Sequence, residues 1–60
     1  MGDPAPETIP DAVLEAIRNA FPKSADVVLA TMRWSSLDGC YLAEIHGMTV
    51  GIELDGYVHS

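Results

Sequence analysis

Between Ile9 and Phe21 the apolar residues return every third or fourth position: Ile9, Val13, Ala16, Ile17, Ala20 and Phe21. That period puts them on one stripe of a helix, with Glu15, Arg18 and Asn19 on the opposite side. The run "TIPDAVLEAIRNAF" is therefore predicted to be helical. Thr8 is the expected N-cap, with Asp11 as its capping-box partner. Pro10 suits the first turn, where its missing N–H has no helical partner, and Asp11 suits the positive end of the helix dipole. Pro22 stops the helix, because the residue before a proline is pushed away from helical angles. Lys23 and Ser24 then turn the chain.

After this point the pattern reads as alternation, the period of a strand. A first strand is predicted over about 26–34, followed by the loop "SSLDG", whose residues favour turns. A second strand is expected over 40–45, a third over 48–54 and a short last one over 57–59. His46–Gly47 is a two-residue turn, and Asp55–Gly56 is a stronger hairpin signal. Closing the first turn sets Ile45 opposite Met48, Ala43 opposite Val50 and Tyr41 opposite Ile52, all on one face. The other face then holds Leu42 against Gly51, Glu44 against Thr49 and Cys40 against Glu53. A two-residue turn at Asp55–Gly56 sets Leu54 opposite Tyr57, again inside. The fold class is α+β: one N-terminal helix covering one face of a three- or four-stranded antiparallel meander.

The first predicted strand does not divide cleanly. Val27 and Leu29 lie on one side of it, and Val28, Ala30, Met32 and Trp34 on the other, so both sides are apolar. Either set facing the helix leaves the other on the open face of the sheet. A bulge near Ala30–Thr31 instead turns Val27, Leu29, Met32 and Trp34 all inward. In both regular cases an apolar patch lies beside Leu42, and such a patch marks an interaction site.

Size sharpens this expectation. A chain of 60 residues is one domain. It buries only about 60% of the surface its unfolded chain exposes, so a partner or a second copy adds needed stability. Cys40 is the only cysteine, which excludes an internal disulfide. The formal charge of −6 argues against direct contact with nucleic acid or an anionic membrane. The acids are spread along the chain, as on a solvated surface. Their concentration on one face would instead mean mimicry of nucleic acid. No run is long enough to span a bilayer, and no signal peptide is present. Residues 1–7, "MGDPAPE", read as a disordered arm and residues 8–60 as the domain. The protein is expected in the cytoplasm if Met1 is the native start, and in the periplasm or outside the cell if a signal was removed.

No catalytic, cofactor or metal residues are expected. Cys40 and His46 lie about 20 Å apart along an extended strand, and His59 lies near a frayed end. Cys40 has Glu53 across the strand but no expected histidine to act as its base. Glu44 and Glu53 share the outer sheet face but are offset diagonally, with no cleft between them.

The ordered set Ile9, Pro10, Ala12, Val13, Phe21, Pro22, Ala25, Val27, Tyr41, Val50, Ile52, Asp55, Gly56 and Val58 resembles the PepSY-like family. The likeness covers "IPDAVLEAIRNAFPKSADVV", "DGCYLAEI", "HGMTVGIEL" and "DGYV". It implies a helix on a small antiparallel sheet, similar in fold to beta-lactamase-inhibitor repeats. It also implies an exported, non-enzymatic module that binds proteins or inhibits proteases. The chain departs from the pattern in standing alone, in lacking a signal peptide and in its more apolar first strand. The expected function is therefore protein binding through the open sheet face, as an inhibitor or accessory subunit, with self-association. The expected contacts are Val28, Ala30, Met32, Trp34 and Leu42, rimmed by Glu44 and Glu53. The alternative is an acidic decoy that occupies a basic nucleic-acid-binding groove of a partner.

Overall fold

A computed structural model describes residues 2–60. Helix α1 (Asp11–Ala20) is followed by helix α2 (Ala25–Thr31) and strands β1 (Arg33–Ser35), β2 (Cys40–Ile45), β3 (Met48–Ile52) and β4 (Val58–His59). The strands form one antiparallel sheet in the order β1-β2-β3-β4. Both helices pack on the same face of it. Val13 and Ile17 of α1 and Val28 of α2 meet Tyr41, Ala43, Ile45, Val50 and Ile52 in one apolar cluster. The chain is thus an α+β fold with an N-terminal helix on an antiparallel meander.

Helix α1 ends as its sequence dictates. Phe21 caps it, donating its N–H to the Ile17 carbonyl at 2.8 Å, and Pro22–Ser24 turn the chain. Its start differs from expectation. Pro10, not Thr8, holds the N-cap position, with no side-chain cap; the Pro10 carbonyl accepts from Val13 and Leu14. Of the expected stripe, Ala20 is exposed at the last turn.

The expected first strand is mostly a helix. Residues 25–31 form α2, and only Arg33–Ser35 pair with β2. The run that alternates ambiguously as a strand carries a helical stripe as well: Ala25, Val28 and Met32 are spaced by three and four and pack on the core. Val27 and Leu29 point away, at 46% and 42% exposure. Seven residues are too few for a stable helix alone, so the packing of Val28 supplies the stability. Thr31 closes the element. Its Oγ1 accepts the Glu44 N–H at 3.1 Å and lies 3.0 Å from the Glu44 carbonyl oxygen. In the β1–β2 register Thr31 falls opposite Glu44, so a side-chain hydroxyl takes over the bonds that a longer β1 would make.

The β2–β3 hairpin has the expected register, from Ile45↔Met48 to Tyr41↔Ile52. His46 (φ 51°) and Gly47 (φ 75°) form its two-residue turn, both in the left-handed region that this kind of turn requires. Met48 nevertheless is 58% exposed, because the helical layer does not reach the end of the sheet.

The β3–β4 connection is one residue longer than expected. Ile52 pairs with Val58 and Gly51 with His59, and Glu53 N–H donates to the Tyr57 carbonyl at 2.8 Å. The loop is therefore Leu54–Gly56, and Leu54 does not face Tyr57. Both residues, expected inside, are exposed. Gly56 makes this loop possible: its φ is 96°, and a Cβ there would come within 2.9 Å of the Ala12 carbonyl in α1. A shift of one residue exchanges the faces of every following side chain. Val58 turns to the core, and His59 to the outer face.

Candidate functional site

The outer sheet face carries Arg33, Leu42, Glu44, Thr49, Gly51 and, towards one end, Cys40, Glu53 and His59. It is a polar face. Arg33 pairs with Glu44 at 3.5 Å, both well exposed, so this pair contributes little stability. Leu42 is half-buried between its neighbours.

The expected contact residues do not form one surface. Leu42, Glu44 and Glu53 lie on the outer face as expected. Val28 is fully buried between helix and sheet. Met32 and Trp34 also pack on the core side, so these three are not on the open face. Trp34 meets the Tyr41 ring edge-on, with centroids 5.1 Å apart. Its Nε1–H donates to the Asp3 carbonyl at 2.9 Å, and Asp3 N–H donates to the Ser36 carbonyl at 3.2 Å. The expected arm thus lies along β1 and the following turn; Met1, its first residue, is outside the described residues. Ala30 is exposed on α2, the helix that packs on the opposite face of the sheet.

Two features remain as candidate sites. The first is an apolar groove of about 290 Å³ at one end of the molecule. It runs between the α1–α2 turn (Ala20, Phe21, Pro22, Lys23) and the β2–β3 hairpin (Ile45, His46, Met48, Val50). The helix stop at Phe21–Pro22 ends the helical cover before the hairpin does, which leaves Met48 exposed beside buried Ile45 and Val50.

The second feature was not expected. Ligating atoms of Cys40, Glu53 and His59 lie within 4.8 Å of one another. Cys40 stands on β2 opposite Glu53, and His59 on β4 stands opposite Gly51. Gly51 has no side chain to separate them. The His59 ring lies over it so closely that a Cβ there would be 2.5 Å from the imidazole. From this position His59 Nε2 reaches Glu53 Oε2 at 2.8 Å. Tyr57 stacks on the ring, with centroids 5.9 Å apart. The pairing of Cys40 with Glu53 was legible in the sequence; the arrival of His59 depended on the three-residue loop.

Burial pushes the Cys40 thiol above its ordinary value of 9.0, and the charges of Glu53 and Asp38 and a hydrogen bond to Glu53 add to this. The thiol is held as a protonated donor to a carboxylate, the reverse of what an activated nucleophile needs.

The carboxylates occur in both layers and the turns between them: Asp11 opens α1, Asp26 opens α2, Glu44 and Glu53 have partners on the sheet, and Asp38 and Asp55 bond within turns. Among the described residues no helix is long and apolar enough to cross a membrane. No family model, curated protein or solved structure matches the chain.

Proposed function

We propose that this chain is a small non-enzymatic protein-binding module, acting as an inhibitor or accessory subunit and associating with itself. The resemblance to the PepSY-like family supports this reading, although α2 stands where that pattern has a first strand. The contact surface in this proposal is the apolar groove rather than the outer sheet face. The observation that carries it is Met48, 58% exposed at the mouth of a groove floored by buried Ile45 and Val50. Methionine adapts to varied apolar partners, and aromatic and methionine side chains are enriched at interface cores. A second copy covering this groove would add apolar burial that a chain of this length lacks.

Sedimentation equilibrium over a concentration series tests the proposal. The wild-type mass should exceed that of a monomer, and its thermal midpoint should rise with concentration. Met48→Asp should be monomeric at every concentration, while Leu42→Asp on the outer face should still associate. A wild-type monomer with a concentration-independent midpoint overturns self-association through the groove.

A further inference from the structure

We propose that Cys40, Glu53 and His59 form a binding site for a divalent cation of the zinc type on the outer face of the sheet. The three groups offer sulfur, oxygen and nitrogen, the ligand set that zinc takes and that calcium and magnesium do not. In a tetrahedral site with bonds of about 2.0–2.3 Å, ligand atoms sit roughly 3.5 Å apart. The present separations, all within 4.8 Å, need only a small adjustment, which for His59 Nε2 and Glu53 Oε2, now 2.8 Å apart, is an opening. Side-chain rotation supplies it, since Glu53 and His59 are each 40% exposed and unconfined by core packing.

The charges balance. A thiolate and a carboxylate carry two negative charges, and the neutral imidazole binds through Nε2 after its proton, which faces Glu53 in the metal-free chain, moves to Nδ1 by exchange with solvent. Binding breaks the Cys40 S–H bond, forms a sulfur–metal bond and releases one proton to solvent. Two features of the fold serve the site and nothing else described above. Gly51 leaves the trench through which His59 reaches across β3, and Tyr57 stacks on the ring. With three protein ligands, the fourth position is left to water or a small anion.

Chelator-treated, reduced protein is titrated with Zn²⁺ by calorimetry and with Co²⁺ by absorption. The expected result is one ion per chain, about one proton released per ion, and a near-ultraviolet thiolate-to-cobalt band. Cys40→Ser should remove the band, and His59→Ala should weaken Zn²⁺ binding at least tenfold. Gly51→Ala leaves all three ligands in place but displaces the ring, and should weaken binding by about 10–100-fold. His59 is exposed and Gly51→Ala meets only the end of a side chain, so both variants stay folded; circular dichroism verifies this. Absence of the thiolate-to-cobalt band in wild type overturns the site. So does equal Zn²⁺ affinity in wild type, His59→Ala and Gly51→Ala. None of these readouts depends on the groove or on self-association.

Discussion

Cys40 is a buried thiol facing the solvent side of a sheet, and its surroundings make a specific demand on pH. Its folded value is raised above 9.0, chiefly by burial, so the folded chain keeps its proton where the unfolded chain has lost it. The stabilising contribution is fully present below pH 9.0 and is lost as pH rises beyond it. In metal-free protein, the thermal midpoint of wild type should therefore fall more steeply above about pH 9 than that of Cys40→Ser. Parallel curves for the two proteins would show that the thiol titrates normally in the fold. At the same scale, Asp55–Gly56 announces a hairpin without specifying its loop length. The dipeptide suits two- and three-residue loops alike. The close seat of Gly56 against the Ala12 carbonyl selects the longer one, and that contact is with a helix more than forty positions away. The placement of His59, and with it the cation site, follows from this one choice.

At the scale of elements, α2 shows how a short apolar run is resolved. "VVLATM" satisfies a strand period and a helix period together, and its β-branched residues lean towards strand. The helix prevails because Val28 then fills the space between α1 and the sheet, flanked by Ala25 and Met32, while β2 ends at Ile45 and offers residues 25–29 no partner. Thr31 is the joint. Replacing it with valine keeps the shape but removes the hydroxyl that binds Glu44 N–H. Thr31→Val should lower unfolding free energy by about 0.5–1.5 kcal/mol in denaturant titrations. Faster hydrogen exchange at the Glu44 amide is expected with it, and unchanged exchange would mean that the clasp does not protect this edge.

The whole molecule is a thin two-layer stack whose sheet has one open face and one end beyond the reach of its helices. The N-terminal arm adds a further cover, held by Trp34 and Ser36. Removing the arm through Pro6 should shift tryptophan emission to longer wavelength and lower stability by about 0.5–1.5 kcal/mol. Unchanged emission would show that the arm does not shield the indole. The sequence by itself determined α1 and its stop at Phe21–Pro22, the β2–β3 hairpin with its register, and the helix-then-meander order. In each of these the information is local, a period or a turn residue within a few positions. Tertiary structure alone decided that residues 25–31 coil, that Met32 and Trp34 face the core, and that His59 meets Cys40 and Glu53. Each of those depends on packing between segments distant in the chain, where local preference is balanced and the space left by other elements makes the choice.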